Sequence, residues 1–297
     1  MELQQTGNKT GKLNIRAETT RNKLIYPGRD IRWFLPGFLG WLLLYAAPFV
    51  LSLVTSFMAD SAEISFVGLA HYRDLFSDPN YLMSVRNSIS FLFPVVLAVM
   101  VLGILTAQLL FTVPRLRGLL VVFLLPLFLP APSITAIWNA MVGSGSLIAR
   151  LLQPRDEQWK YLSLFLLFVW KNTGITAALY LTGMKALDEA VLNAARVDGA
   201  GVWTVFFRIK LPQLHNIAVI VLLYLMMNGV RIFRESYMLF GAYPPPNLFF
   251  VQHYINLGFA RLDFGLLSAA GTVFSALLLL IFALLWKQLK HREEDAA

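Results

Sequence analysis

Residues 187–212 read LDEAVLNAARVDGAGVWTVFFRIKLP and lie between two long apolar runs. Apolar residues recur at i, i+3, i+4 and i+7 from Leu187, and again from Val202, which is the spacing of one helix face. Gly199 separates the two patterns, and Pro212 closes the second because proline cannot continue a helix without losing a backbone hydrogen bond. The sequence therefore predicts two short helices with a break at Gly199, held between two membrane spans.

The residue identities in this loop carry more information than its periodicity. Periodicity alone favours an amphipathic helix that lies in the lipid interface. The loop resembles, however, the EAA loop of binding-protein-dependent ABC importer permeases, whose pattern is E-A-A, three residues, G, nine residues, I, one residue, L-P. The residues that stand at those positions, or that complete the D-G-A within the pattern, are Asn193, Ala194, Ala195, Asp198, Gly199, Ala200, Ile209, Leu211 and Pro212.

The resemblance implies an all-α membrane fold of the MetI-like type, with six transmembrane helices and a cytoplasmic coupling helix. In the family this helix docks into a cleft of the ATPase subunit. Asn193 departs from the pattern because it replaces the leading Glu, and an amide forms hydrogen bonds without charge assistance. Trp203 and Phe206 stand where the longer form found in sugar permeases carries aromatic residues.

The composition is that of an integral membrane protein. The 297 residues are 57% hydrophobic and 14% charged, and the mean hydropathy is +0.62, which is too apolar for a soluble domain of this length. The net charge of +8 is spread between the apolar runs, as topology signals are, and is not gathered into a nucleic-acid-binding tract. The absence of Cys excludes a disulfide framework, a thiol nucleophile and a Cys-based metal site, and we expect no metal.

Six apolar runs are long enough to cross a bilayer, whose core needs about 20 helical residues. They are predicted to be helices, because a helix satisfies its own amide groups in lipid. Prolines lie in or near several of these runs, where they either kink the helix or simply pack. The runs are 33–57, 88–111, 119–141, 161–184, 214–230 and 264–286.

The basic residues predict the orientation of the chain. Lys and Arg are twice as frequent on the side that holds both termini and the 187–212 loop as on the other side, and they mark the cytoplasmic side. We therefore predict a multi-pass protein of the bacterial plasma (inner) membrane with both termini cytoplasmic. It divides into a basic tail at 1–32, a permease domain at 33–287 and a C-terminal tail at 288–297.

The N-terminal tail holds one segment similar to a nucleotide site. In GNKTGKL, Gly7 and Gly11 are too close together for a phosphate-binding loop, and Leu13 replaces the Ser or Thr that would hold magnesium. We therefore expect a transport subunit without an ATPase site or cofactor of its own. The resemblance implies that ATP and Mg are bound by two ATP-binding partner subunits. It also implies a second permease subunit in a heterodimer, an extracytoplasmic solute-binding protein, membrane lipid and no nucleic acid.

Residues 66–91 read FVGLAHYRDLFSDPNYLMSVRNSISF and resemble the segment before the second span of carbohydrate-type permeases. Asp78 and Pro79 are a turn signal, and the rest predicts a short helix on the outer surface or a plain interfacial loop. With the 187–212 loop, this likeness favours a sugar or an oligosaccharide as cargo. The residues that carry it are Val67, Gly68, Leu69, Tyr72, Arg73, Ser77, Asp78, Pro79, Arg86 and Asn87.

Polar residues near the spans are candidates for a substrate path, because charged groups in a bilayer are costly and are often functional. A sugar site also needs flat apolar surfaces and a few hydrogen-bonding groups. Lys171 is the most deeply embedded, although it can instead reach an interface or a carbonyl. Arg231 with Arg234 would suit an acidic sugar. The candidates, which ordinary packing would also explain, are Trp138, Asn139, Lys171, Asn172, Tyr180, Asn228, Arg231, Glu235 and Tyr237.

Three other functions are considered. An ion-coupled secondary carrier often places Asp, Glu or His at mid-span, and we predict none there. A membrane enzyme would have to use histidines that are far apart in sequence and form no HExxH pattern; they are His71, His215, His253 and His291. An ABC permease for a non-sugar solute stays open. Only the importer permease explains the loop, its cytoplasmic side and the missing acids together.

Overall fold

The computed structural model describes residues 31–59, 65–143 and 157–296, and these are helical apart from short connections. The only β pairing in those ranges is one antiparallel bridge between Met58 and Phe66, so the all-α prediction is confirmed. Residues 1–30 of the predicted N-terminal tail lie outside the described residues. The helices are α1 (Ile31–Trp41), α2 (Ala47–Thr55), α3 (Ala70–Ser77), α4 (Pro79–Thr112), α5 (Leu119–Phe128), α6 (Ala131–Val142), α7 (Glu157–Lys185), α8 (Glu189–Val197), α9 (Val202–Val205), α10 (Leu211–Gln213), α11 (His215–Val230), α12 (Phe233–Phe240), α13 (Val251–Arg261) and α14 (Phe264–Ala296).

The described residues divide into two compact units, one that ends at Val54 and one that begins at Thr55. In the first, α1 continues through a π-helical turn, Leu42–Ala46, into α2. The apolar helical stretch Phe34–Thr55 is 22 residues long, which is enough to cross a bilayer core. Pro36 lies inside α1 without ending it.

The second unit is built around α4 and α7, which pack along each other. Small residues allow the close approach: Gly103 of α4 lies against Thr176 of α7, and Gly174 of α7 lies against the backbone carbonyl of Phe123 in α5. A Cβ at either glycine would clash, and such small-residue contacts are usual between membrane helices. The largest fully buried side chains of this core include Phe91, Leu110, Leu164, Leu167, Phe168, Tyr180, Met184, Phe206 and Leu214.

The third apolar run is not one continuous helix, so the prediction for residues 119–141 is wrong in this respect. The first half ends with α5 and the second half is α6, and the axes of the two halves are bent by 113° relative to each other. Leu129 is extended, with φ −87° and ψ 133°, because a residue before proline is pushed out of the helical region and Pro130 has no N–H to continue the helix. The described residues thus contain five helices that are long and apolar enough to cross a membrane, or six if this bent pair is one span.

The second span begins earlier than its predicted start at residue 88. A carboxylate oxygen of Asp78 accepts a hydrogen bond from the Asn80 N–H at 2.8 Å and caps α4, and Pro79 occupies the first turn of the helix. The Asp-Pro pair that signals a turn is also a favourable helix start, because the cap satisfies a free N–H and proline needs none. The predicted short helix before it is α3.

The segment between α12 and α13 is fastened to the N-terminal part of α4. Nδ2 of Asn87 donates to the carbonyl oxygens of Pro246 at 2.6 Å and Phe249 at 3.1 Å. The N–H of Val251 donates to Oγ of Ser88 at 3.1 Å. The proline-rich sequence GAYPPP at 241–246 is therefore followed directly by residues that a spanning helix holds in place.

Candidate functional site

The loop between α7 and α11 begins with α8, whose two ends are set by local contacts. The carboxylate of Asp188 accepts a hydrogen bond from the Ala190 N–H at 2.8 Å and caps the helix. At the other end Gly199 has φ +78°, a conformation that glycine adopts without a steric penalty. The Ala200 N–H donates to the Ala195 carbonyl at 2.9 Å across this turn. The predicted break at Gly199 is confirmed.

The second half of the loop is helical but irregular. Helix α9 leads into a π-helical turn, Phe206–Lys210, and then into α10. Pro212 does not end this helical segment as predicted, because it lies in the first turn of α10, where its missing N–H is not needed. The segment ends at Gln213 instead. A π-helical turn within a helix is frequently found at a functional site.

The loop has a buried face and an exposed face. Leu192 and Phe206 are buried against the rest of the second unit. On the other face Val197 is 88% exposed, and the exposed rings of Trp203 and Phe207 are stacked with their centroids 5.9 Å apart. All the predicted coupling residues are exposed or half-buried. Exposed large apolar side chains on a loop between spans are typical of an interaction site.

Asn193, which stands where the family pattern has Glu, is exposed on α8. Its Oδ1 accepts a hydrogen bond from Nη1 of Arg196 at 3.1 Å, within the same helix. The amide therefore already has a cationic neighbour, which a carboxylate at this position would bind more strongly.

Two of the predicted substrate-path residues, 64 positions apart in sequence, form an ion pair. Nζ of Lys171 in α7 donates to Oε1 of Glu235 in α12. The side chain of Glu235 is 0% exposed and that of Lys171 is 16% exposed. Oε2 of Glu235 has no hydrogen-bond partner among the described residues, although a buried carboxylate oxygen ordinarily has one.

Glu235 lies inside a span that extends further than predicted, near the end of that span and not at its middle. The fifth apolar run was predicted to end at residue 230, but α12 follows α11 after a short turn, and the apolar helical stretch is His215–Phe240. Lys171 makes the carboxylate tolerable there, because an opposite charge offsets part of the cost of removing it from water. Lys171 therefore pairs with a carboxylate and not with a carbonyl.

Aromatic side chains lie on the same group of helices as the ion pair. Trp138 of α6 is buried and stacks on Trp170 of α7, with centroids 5.9 Å apart and planes at 27°. Nε1 of Trp138 donates to Oγ of Ser163 at 2.8 Å, and Oγ1 of Thr135 in α6 lies 3.8 Å from Sδ of Met238 in α12. Trp170 and Ser163 were not predicted, although Trp170 stands in VWKN, the polar interruption of its span.

The other predicted substrate-path residues make no hydrogen bond to the ion pair in the described part of the chain. Three of them are exposed: Asn139, Arg231 and Tyr237. Asn172 and Asn228 each donate their side-chain amide to a carbonyl of their own helix, at 2.9 and 3.0 Å. Tyr180 is buried in the apolar core. The structure thus brings together Lys171 and Glu235, with Trp138 on an adjoining helix, and leaves the rest apart.

The histidines lie on separate helices. His71 is in α3, His215 begins α11 and His253 is in α13. His253 is 1% exposed, and burial lowers its pKa to about 4. Its Nδ1 accepts a hydrogen bond from the Phe250 N–H at 3.2 Å, and its Nε2 lies 3.5 Å from Oγ of Ser236. His253 is therefore a neutral residue that connects α13 with α12.

Comparison with known proteins gives the same picture. The family described as "binding-protein-dependent transport system inner membrane component" matches residues 99–294, which is more than half of the chain. The arabinooligosaccharides transport system permease protein AraP of Bacillus subtilis (strain 168) is 27% identical over 268 residues, which are 80% of this chain and 85% of that protein.

Two crystal structures share the fold. One is a bacterial ABC transporter involved in the import of the acidic polysaccharide alginate, with a TM-score of 0.75 and 18% identity over 94% of this chain and 99% of that chain. The other is a bacterial alginate ABC transporter in complex with an alginate pentasaccharide-bound periplasmic protein, with a TM-score of 0.74 and 19% identity over 91% and 94%. The chain is therefore a multi-pass membrane protein that belongs to the family of binding-protein-dependent transport system inner membrane components.

Proposed function

We propose that this chain is the permease subunit of an ATP-driven ABC importer that takes up a sugar or an oligosaccharide. Membership of the family supports this, as do the cargoes for which the similar proteins are named, arabinooligosaccharides and alginate. The observation that carries the proposal is the loop between α7 and α11. Its inner face is buried in the second unit, and its outer face is exposed and partly apolar, so it offers a surface to another protein.

In this proposal the exposed face docks into the ATPase subunits on the cytoplasmic side, where both termini also lie. ATP and Mg are bound by those subunits, and this chain contributes no ATPase site. A second permease subunit completes the pore, and an extracytoplasmic binding protein delivers the cargo. The structural likeness to a transporter crystallised with a periplasmic protein supports the last partner.

The cargo's path, in this proposal, runs along α6, α7 and α12. Oε2 of Glu235 is a buried acceptor without a described partner, and sugar hydroxyls are donors. The half-buried ring of Trp170, which stacks on Trp138, supplies a flat apolar surface on the helix that carries Lys171, and pyranose rings pack on such surfaces. The ion pair of Glu235 with Lys171 is therefore the first place to look for an effect on transport.

An acidic cargo is an extension of the proposal that can be tested separately. Arg231 and Arg234 are exposed and border one surface depression together with Gln252 and Asn256, and a guanidinium suits a carboxylate. Uptake of neutral and uronate-bearing oligosaccharides should then differ, and Arg231→Ala should reduce the difference. Equal uptake of both, unchanged in Arg231→Ala, would reject an acidic cargo and leave the importer proposal intact.

The buried carboxylate of Glu235 also favours a second candidate, an ion-coupled carrier, because such carriers use acids within their spans. The pairing with Lys171 counts against it, since the carboxylate already has an opposite charge beside it, as a structural ion pair does. Uptake into vesicles separates the two functions. The importer needs ATP and its partner subunits, whereas the carrier works on an ion gradient alone.

The decisive test of the proposed function is Gly199→Asp, which puts a charge at the exposed tip of the loop. The full chain is expressed with candidate sister permeases and ATPases, and co-purification and ATP hydrolysis are measured. We expect association to fall about tenfold or more, because docking would bury an unpaired carboxylate. Gly241→Asp is the matched control, since Gly241 is also exposed, has open space around it, has a similar positive φ of +77° and lies in another connection. Parent-like behaviour of Gly199→Asp would reject the coupling role.

A further inference from the structure

A cavity of about 310 Å³ lies under the loop, against the last turn of α4. Its polar lining residues are Gln108 and Thr112 of α4 and Arg196 and Lys210 of the loop, and the remaining lining residues are apolar. No Asp or Glu is found among its described lining residues. The cavity therefore contains two cationic side chains without a protein carboxylate opposite them.

The side chain of Lys210 is the more deeply placed of the two cations, with only 4% of the residue exposed. Its Nζ donates to Oε1 of Gln108 at 3.0 Å and lies 3.8 Å from the centroid of the Phe111 ring. Both partners are neutral, and a buried ammonium group is costly unless an anion accompanies it. Burial and then the positive charge of Arg196 lower the pKa of Lys210, as expected for a cation that lacks an anion.

Two further donors face this region. Nε2 of Gln108 donates to Oγ1 of Thr112 at 3.2 Å, which leaves the hydroxyl hydrogen of Thr112 for another acceptor. Arg196 donates from Nη1 to Asn193, and its guanidinium has further N–H groups. An ammonium, a guanidinium and a hydroxyl together form the donor set that recognises the oxygens of a phosphate.

The cavity lies at the end of a membrane-spanning helix. Helix α4 ends at Thr112, and the exposed residues Arg115 and Arg117 follow in the next turn. Basic residues directly after a span are found at the level of lipid head groups. Val202 and Val205 add an apolar wall, which suits the glycerol and acyl part of a lipid and which a free anion does not need.

We propose that this cavity binds a phosphate group, supplied by the head group of an anionic phospholipid or by free phosphate. The phosphate oxygens accept hydrogen bonds from Lys210, Arg196 and Thr112, and the negative charge offsets the buried ammonium. Once bound, the phosphate joins the end of α4 to the inner face of the loop. The inference stands on the cavity alone and does not depend on the cargo or on the ATPase.

The test uses the full chain purified in detergent, with the variants Lys210→Met and Arg196→Gln. Arg208→Gln is the matched control, because Arg208 is exposed on the same segment and does not line the cavity. Native mass spectrometry measures retention of added phosphatidylglycerol against phosphatidylcholine. Thermal unfolding in phosphatidylcholine nanodiscs, at constant ionic strength, measures binding of inorganic phosphate.

We expect the parent and Arg208→Gln to retain phosphatidylglycerol, and Lys210→Met and Arg196→Gln to bind it about tenfold more weakly, since each loses a charged donor. Saturable stabilisation by inorganic phosphate without lipid retention would support the site and assign it to free phosphate. If Lys210→Met does not fold, the exposed Arg196 still provides the comparison.

Three results would overturn the inference. One is an equal loss of binding in all three variants, which would mean unspecific attraction to the basic surface. Another is a parent chain that binds neither probe. In the third result, inorganic phosphate does not stabilise the chain, but added ATPase subunits protect Lys210 from chemical modification. The group in the cavity would then be a carboxylate of that partner.

Discussion

Replacing Lys171 by methionine removes the cation of the buried ion pair and leaves Glu235 in place. Methionine retains much of the aliphatic bulk, so the change acts mainly on the charge. Oε1 of Glu235 would lose its described partner, Oε2 has none among the described residues, and the side chain is 0% exposed. Breaking a buried pair costs about 3 to 5 kcal/mol. Because 16% of the Lys171 side chain is exposed, we expect the lower end, about 3 kcal/mol.

The double variant Lys171→Met with Glu235→Leu should regain most of this loss, since apolar side chains of similar volume replace a buried pair at little cost. Denaturant titration of the parent, both single variants and the double variant in mixed micelles gives the coupling free energy of the pair. We expect a magnitude of at least about 2 kcal/mol. Additive effects of the two single changes, or a Lys171→Met chain as stable as the parent, would refute the reasoning.

Three more predictions concern the helix contacts, the loop and the outer helix. Gly174→Ala should lower the free energy of unfolding by about 1 to 3 kcal/mol, because a Cβ there meets the α5 backbone. The control Gly201→Ala, at a position with open space around it, should change the free energy of unfolding by less than about 0.5 kcal/mol. Equal effects of the two changes in denaturant titration would contradict this prediction. Asn193→Glu should raise the amount of co-purified ATPase about two- to tenfold through charge assistance, and an equal gain in Asn193→Gln would speak against it. The pKa of His253 is about 4 in the folded chain against 6.5 ordinarily, so the unfolded chain binds the proton first and stability falls as pH drops from about 6.5 towards 4. Protonation of this residue should lower the free energy of unfolding by about 2 kcal/mol at pH 5 relative to pH 7. If the free energy of unfolding depends on pH equally in the parent and in His253→Gln, this prediction is wrong.

Local signals predicted the local structure well. Helix α8 begins where Asp188 caps it and ends before Gly199, which has a positive φ. Both effects act within one helical turn, so a few consecutive residues are enough to predict them. The third apolar run was harder, because the prolines predict an interruption but not its size. Whether Pro130 kinks a helix slightly or turns the chain by 113° depends on what packs around it.

The partnerships inside the second unit could not be predicted in this way. Lys171 and Glu235 are 64 residues apart, and Lys210 and Gln108 are 102 apart, so each pair depends on how whole helices pack. The substrate-path candidates were chosen for their chemistry, and chemistry alone does not tell a residue facing a partner from one such as Asn172 that bonds within its own helix. Gln108 and Lys210 were visible only as polar residues in otherwise apolar surroundings.

Helix α4 is attached near both of its ends. Asn87 bonds to the segment before α13, and Gln108 bonds to Lys210 of the loop. Between these two points the helix rises about 32 Å at 1.5 Å per residue. If the loop moves and its hydrogen bond to Gln108 is kept, α4 must tilt or bend. The movement is then transmitted along the helix to the hydrogen bonds of Asn87. Pro94 lies between the two attachment points and has no N–H to donate to the preceding turn, so a bend of α4 is expected at this position first.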